Sequence, residues 1–466
     1  MRLCTIFLAF LLFRCDAHHR ANDLKLELLQ VIFRHGDRAC NRVEIYKNDP
    51  YDEIHRKHGY GELTKEEPND TGTNAGDNNI LCSGDSSTAD NFKTFTFCKS
   101  SVGFQREYQI GRVLRERYDA FLGDYHFDDV YGYSTDLRRT KTSLLLVLAG
   151  LYPSTNKTAW NDQLNWIPIP ISYSKIKTNF LSAFQCPHLV DMQKEMIRTP
   201  EFRARLDEYK EFNEYLATEI GSDIAWKNYL QLLLYNNVRS TMSMGLPMPA
   251  WCDSTCYENL SKLSRILFDS LVGNSTMTKF MVGSTIDRLL DNIHESELED
   301  SAKRKIYLYS AHDFNLVTFE EAHNFTEVPV IPDFGSAIVV EKLKDRRGRI
   351  YIRMLLWTGA EEQMLPLKIR DCSDPCLLDR YERLVEHIRF RDEYRCESAA
   401  AAAETRPKGL KVGAGILRDT DDLSAGGTRR RRRKFDADEQ LAVLYAGRDL
   451  LEFKYGRECL DDLDYH

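Results

Sequence analysis

The sequence predicts an α/β fold in which a mostly parallel sheet carries helices on its faces. Three observations predict it. Short apolar runs at residues 24–33, 129–133 and 305–310 each stop at polar residues, an amphipathic helical stretch separates the first two, and a long, mostly helical segment separates the second from the third. Uninterrupted apolar runs of this length suit parallel strands, which are covered on both faces and so have no polar face to display.

The first run becomes Leu28-Leu29-Gln30-Val31-Ile32-Phe33, a buried strand that delivers Arg34-His35-Gly36 to the sheet edge. Residues 41–64 are polar, rich in tyrosine and punctuated by glycine, and read as a surface loop. From 66 to 101 periodicity gives way to Asn, Asp, Thr, Gly and Ser, the composition of a disordered insertion. In residues 104–118, Tyr108, Ile110, Val113, Leu114 and Tyr118 recur at helical spacing, which gives a helix one face for the sheet. After the second run, Ser134-Thr135-Asp136 ahead of the apolar stretch 137–149 is a helix start, so Arg138 and Arg139 lie in a first turn near a strand end.

Between residues 151 and 304, proline-bounded loops and charged helices at 201–220 and 257–271 replace strong strands, so this segment reads as a helical insertion. Residues 305–310 restore the sheet and end in Ala311-His312-Asp313. Segments 338–340 and 350–357, joined through Asp345-Arg346-Arg347-Gly348, read as an antiparallel hairpin at the sheet edge.

Both ends of the chain differ from this pattern. Met1-Arg2, an apolar run to Phe13 and then Cys15-Asp16-Ala17 have the order of a secretory signal peptide, residues 1–17. A buried helix fits less well, because His18-His19-Arg20 follow at once, and the run falls short of the roughly 20 residues of a membrane span. No other stretch is long and apolar enough, so no stable membrane anchor is expected. Residues 398–466 read as a disordered tail, in which the basic run from Arg429 to Lys434 is also compatible with a processing site or a heparin-binding patch.

Secretion governs how the cysteines are read. Of twelve, Cys4 and Cys15 leave with the signal. Cys252 with Cys256 and Cys372 with Cys376 suit short-loop disulfides better than zinc sites, since neither pair has histidines at ligand spacing. Sequons at Asn69, Asn156, Asn259, Asn274 and Asn324 fit a glycoprotein. The formal net charge of -8 disfavours a nucleic-acid partner but leaves small anionic substrates open, because a local arginine cluster can override it.

Such a cluster is expected where the strands end. Ligands of open α/β sheets bind outside the carboxyl ends of the strands, so Arg34-His35 with Arg38, Arg139, and His312-Asp313 can converge from distant parts of the chain. Arginine forks donate charge-assisted pairs of hydrogen bonds to phosphate oxygens. A neutral imidazole can attack phosphorus, and a protonated carboxyl can supply the leaving oxygen with its proton. Taken singly, each residue has a plainer reading as an ion-pair partner or a satisfied strand-end histidine.

The segments Phe33-Arg34-His35-Gly36-Asp37-Arg38, Ser134-Thr135-Asp136-Leu137-Arg138-Arg139-Thr140 and Tyr309-Ser310-Ala311-His312-Asp313 resemble the signatures of the histidine acid phosphatases, the two-histidine branch of the phosphoglycerate-mutase-like superfamily. The resemblance runs from Leu24 to Cys396 and is strongest to insect lysosomal and venom-type enzymes. It includes Gly61-Glu62-Leu63-Thr64 and Cys372-Ser373-Asp374-Pro375-Cys376. It implies a phosphoglycerate-mutase-like catalytic domain in two pieces, 18–150 and 303–397, interrupted by a smaller helical cap subdomain at 151–302. The stretch 66–101 is atypical for the family and is either a lineage-specific loop or a retained intron.

The implied activity is hydrolysis of phosphate monoesters at acidic pH. His35 would be the phosphorylated nucleophile, Arg34, Arg38, Arg139 and His312 the phosphate ligands, and Asp313 the proton donor, with no metal or other cofactor. The resemblance also implies disulfides Cys186–Cys396 and Cys372–Cys376, a homodimer, and a secreted or lysosomal location. A third family bridge is missing at both ends, with Ser240 and Ser336 near its positions. Cys40, Cys82, Cys98 and Cys459 have no family pairing, and Cys252 and Cys256 stand outside the usual pattern. Two other functions compete: a specialised phytase-like or lysophosphatidate phosphatase, and a venom or salivary glycoprotein that serves as a binding module. The binding module has no use for Asp313 beside His312.

Overall fold

The computed structural model describes residues 24–65, 103–174, 181, 187–220, 230–299, 304–325, 327–359 and 364–390. The signal segment, the insertion 66–101, the tail, Asn69, and Cys82, Cys98, Cys186, Cys396 and Cys459 lie outside the described residues.

Strand β1 (Lys25–Arg34) is buried from Leu28 onward, as its apolar run predicts. Segment 41–64 is not the surface loop the sequence suggests. It holds a 3-10 turn (Arg42–Glu44) and helix α1 (Asp52–His58), and it buries Glu44 and His55. Polarity misled here, because these polar groups face inward and find partners there, Glu44 in Arg38 and Asn41 and His55 in Cys40 and Thr241. Helix α2 (Gly103–Leu122), strand β2 (Val130–Ser134) and helix α3 (Arg138–Leu151) follow in the expected places.

The next segment is mostly helical but contains one strand that the sequence reading missed, β3 (Ser172–Tyr173). Two residues leave no periodicity to detect. Helices α4 (Pro187–Ile197), α5 (Pro200–Asp207), α6 (Lys210–Ile220), α7 (Leu230–Ser243), α8 (Ser254–Asp269), α9 (Ser275–Thr278) and α10 (Ser284–Glu295) come next. The single helix expected over 201–220 is therefore two. Thr199 caps the first of them through the amide of Phe202.

Strand β4 (Ile306–Ala311) and helix α11 (Asp313–Ala322) return the chain to the sheet. Strands β5 (Ala337–Lys344), β6 (Ile350–Trp357), β7 (Leu365–Leu367) and β8 (Cys376–Leu377) and helix α12 (Leu378–Val385) complete it. The sheet order is β3-β2-β4-β1-β5-β6-β7, with β8 also on β6. Pairings among β1 to β4 are parallel, and those from β5 onward are antiparallel. The β5–β6 hairpin exists, yet it is internal: β5 pairs with β1, while β7 and β8 cover β6.

Alternation along β1 divides the core. Leu29, Val31 and Phe33 pack with Ile110 and Leu114 of α2 and with Leu144 and Val147 of α3. Leu28 and Ile32 face the other way, against Ile286 and Leu290 of α10 and Leu316 and Phe319 of α11. Gln30 shares that second face and is satisfied there. Its amide donates to the Leu289 carbonyl at 2.9 Å and accepts from Asn292 at 2.7 Å. A third cluster, among α4 and α6 to α8, is tied to the sheet layers by Phe314 and Val317 of α11.

Cys252 is joined to Cys256 and Cys372 to Cys376, while Cys40 is a buried free thiol. The backbone of 37–40 pairs with 61–64 through a bridge between Arg38 and Leu63. Thr64 then meets the start of α2: its hydroxyl accepts from the Gly103 amide at 2.9 Å and its carbonyl from Phe104 at 3.2 Å. The chain thus leaves at Lys65 beside the point where it re-enters at Gly103. A deletion that joins Lys65 to Val102 is expected to fold with a melting temperature within about 3 °C of the full chain. Calorimetry on the deletion checks this, and an aggregating or non-cooperative product contradicts it.

Candidate active site

Strand register assembles the site. Arg34 of β1 lies opposite Ala311 of β4, and the His35 amide donates to the Ala311 carbonyl at 3.1 Å. His35 and His312 are therefore neighbours just beyond two adjacent parallel strands, with ring centroids 5.5 Å apart. On the far side of β4, Ser134 pairs with Ser310, which brings Thr135 level with them. The Thr135 hydroxyl lies 3.0 Å from Nε2 of His312 and 2.8 Å from the Thr140 hydroxyl, fixing the His312 ring from the start of α3.

All six residues expected at the site come together. Arg34, His35, Arg38, Arg139 and His312 are buried. Asp313, first residue of α11, keeps 13% of its side chain exposed and stands 2.8 Å from Nη2 of Arg34 as an ion pair. Its Oδ1 accepts from the Phe314 amide. The Arg34 guanidinium rests on the Phe334 ring, 4.3 Å from its centroid, and donates to the Pro332 carbonyl.

Three of these side chains hold an unsatisfied donor. The Nε–H groups of Arg34, Arg38 and Arg139 are buried and have no hydrogen-bond partner. Buried donors without partners are costly, by about 1–3 kcal/mol each and more when charged. Three such groups around one histidine make a receptor for an anion with several oxygens. Burial and the adjacent Arg38 press the Arg139 guanidinium down to about 9, a load that a bound anion relieves.

The same field sets the histidines. Burial first, then Arg139, hold both His35 and His312 well below the usual 6.5, with the other ring and the remaining arginines adding to it for His35. Both influences favour the neutral ring. His35 Nδ1 lies 2.9 Å from the Gly36 carbonyl, an acceptor, so the proton sits on Nδ1 and Nε2 carries the lone pair.

Gly36 is required by packing. A Cβ there would lie 2.5 Å from the Gly103 carbonyl oxygen and 2.9 Å from Cγ of Glu107. Close packing of α2 behind the His35 loop excludes any side chain. Glu107 itself is fully buried, and burial raises its carboxyl well above the ordinary range, which leaves it uncharged behind the loop.

Glu44 is the residue sequence reasoning missed. It lies in the segment read as a loop and carries no exposed surface on its side chain. Its carboxylate accepts from both terminal nitrogens of Arg38 at 2.7 Å. The one available signal was Asn41-x-x-Glu44, a capping-box pattern that the structure contains. Of the sequon asparagines, Asn156, Asn274 and Asn324 are exposed and Asn259 is half-buried.

A model of the histidine phosphatase superfamily (branch 2) matches residues 25–357. Rat prostatic acid phosphatase is 26% identical over 389 residues, which cover 82% of this chain and 91% of that protein. Human lysosomal acid phosphatase is 26% identical over 392 residues, 82% of each chain. Apis mellifera venom acid phosphatase Acph-1 is 28% identical over 380 residues, 78% of this chain and 85% of its own. Among solved structures, the apo phytase of Hafnia alvei superposes with a TM-score of 0.51 at 17% identity, covering 79% of this chain and 97% of that one. The phytase of Citrobacter braakii does so with the same score at 15% identity, covering 78% and 98%. These two likenesses are likenesses of fold. The family model, by contrast, spans β1 through β6 together with every residue that meets at the strand ends, and the chain belongs to branch 2 of the histidine phosphatase superfamily.

Proposed function

We propose that this protein is an acid phosphatase that hydrolyses phosphate monoesters through a phosphohistidine on His35. The observation that carries the proposal is the ring of three unpartnered guanidinium N–H groups around a neutral histidine whose Nε2 is free to attack. Nε2 forms a bond to phosphorus as the ester P–O bond breaks, and the Asp313 carboxyl, which picks up a proton once the arriving phosphate has taken Arg34 from it, passes that proton to the departing oxygen. A water then attacks the phosphohistidine, Asp313 takes up its proton, and inorganic phosphate leaves with His35 restored. Arg34, Arg38 and Arg139, with His312 as a further donor, hold the equatorial oxygens, whose charge is spread during transfer.

Relatives named lysosomal and venom acid phosphatases support delivery to the lysosome or outside the cell. The exposed sequons at Asn156, Asn274 and Asn324 suit that route. A homodimer is proposed through β3, whose outer edge carries no strand among the described residues. Trp160, Leu164, Trp166 and Tyr173 stand exposed on and before it, an apolar margin unusual for a free sheet edge. Light scattering is expected to give a dimer mass that Trp160→Asp and Trp166→Asp together reduce to the monomer. A monomeric parent protein contradicts the interface.

His35→Ala is expected to lower kcat on p-nitrophenyl phosphate by at least about 10³-fold. A parent protein inactive from about pH 4 to 8, or an active mutant, overturns the mechanism. The pH profile tests the electrostatics separately. Arg139 is the largest charged contributor to the depression of His35, so Arg139→Gln makes the ring easier to protonate. The acid limb of kcat/KM is therefore expected to move to higher pH in that variant, besides the loss of affinity. An acid limb that stays in place or moves down contradicts the assignment of His35 as the neutral nucleophile.

A further inference from the structure

We propose that Glu44 is a positioning residue for this phosphate pocket, holding Arg38 so that one chosen edge of its guanidinium meets the substrate. The inference rests on the assignment of the His35 pocket as the phosphate site.

Glu44 closes the 3-10 turn that follows β1, and each of its oxygens has two donors. Oε2 accepts from Nη1 of Arg38 at 2.7 Å and from the Asn41 amide at 2.6 Å. Oε1 accepts from Nη2 of Arg38 at 2.7 Å and from Nδ2 of Asn41 at 2.9 Å. A carboxylate so engaged is locked, and it takes the end-on face of the guanidinium. The Ala39 carbonyl, 3.0 Å from Nη1, fixes the plane further, and the Ser240 hydroxyl stands 3.4 Å from the same nitrogen.

What remains of Arg38 is its side-on edge, with the Nε–H that has no partner. A side-on edge with two parallel N–H bonds fits two phosphate oxygens as well as the end-on face does. Without Glu44 the fork has every reason to leave. Arg139 and Arg38 repel one another in a buried space, and Glu44 is the leading opposing charge for both. Asn41, bonded to Glu44, also reaches the Arg139 side. Gly61 separates its Oδ1 from Nη1 of Arg139, and a Cβ at Gly61 would meet the two at 2.4 and 3.6 Å. Glu44 thus sets the geometry of Arg38 without touching the reacting atoms.

The test is binding of inorganic phosphate by calorimetry at acidic pH, alongside p-nitrophenyl phosphate kinetics. The proteins are the full chain, Glu44→Gln, Glu44→Asp, Arg38→Ala and the double variant Glu44→Gln/Arg38→Ala. Glu44→Gln is expected to raise the phosphate Kd and the substrate KM together by about tenfold, with kcat within about threefold. Glu44→Asp, which keeps the charge on a shorter arm, should fall between it and the parent. In the Arg38→Ala background Glu44→Gln should change Kd by less than about twofold, because its effect passes through Arg38. A folded Glu44→Gln with unchanged or tighter phosphate binding, or an effect undiminished without Arg38, overturns the proposal. Should Glu44→Gln fail to fold, Glu44→Asp decides: raised KM with retained kcat supports the proposal, and parental behaviour or a second failure to fold overturns it. A parent chain that neither binds nor releases phosphate rejects the pocket assignment itself, a result distinct from all of these.

Discussion

Everything at the site depends on the parallel pairing of β1 with β4. The backbone hydrogen bond from His35 to Ala311 is the last rung of that ladder, and it places His35 and His312 side by side although they are remote from one another along the chain. A one-residue slip in a strand turns every side chain to the opposite face. Here the slip would also move Leu29, Val31 and Phe33 away from α2 and α3. The energy that specifies the register is therefore hydrophobic and lies in the core, while its product is a polar geometry at the strand ends. Stability and site geometry are decided by the same pairing.

The second constraint is electrostatic. Three guanidinium groups and two imidazoles share a buried space, which only works because the imidazoles stay neutral and carboxylates stand close behind the arginines. Asp37, buried and held by Arg106, adds a further negative charge behind the loop. Breaking one partner of such a buried pair typically costs about 3–5 kcal/mol, since the other is left charged and alone. The arrangement is accordingly rigid, and a rigid ring of donors suits transition-state stabilisation, where no reorganisation should be needed at the moment of reaction.

The mainly helical segment between α3 and β4 reaches the site residues themselves. Helix α7 brings Ser240 against Arg38, and Asn237 donates to the Glu44 carbonyl at 3.2 Å and to Asp49 at 2.6 Å. Its own core is separate, yet Phe314 and Val317 connect it to the helix that begins with Asp313. Substrate-facing loops can vary on such a frame, while the phosphate-binding part stays tied to the sheet.

The chemistry of this protein was legible wherever it was local. The run from Leu28 to Phe33 specified a buried strand, Ser134-Thr135-Asp136 marked the helix start that carries Arg139, and the residues at the three strand ends marked a group able to converge, because residue type and short spacing carry that information. Other features stayed hidden for physical reasons. Glu44 and His55 looked like loop polarity, and β3 was too short to have a period. The burial of Glu44 depends on α7, nearly two hundred residues away in sequence as judged by its Asn237 contact. Sequence alone determined which side chains could do phosphate chemistry and which segments would form the sheet. Only the tertiary structure decided which edge of Arg38 is free, that burial and the arginines favour a neutral His35 with Nδ1 turned to the Gly36 carbonyl, and that Gly36 exists to admit α2. Those properties come from distances and desolvation between segments that are remote along the chain.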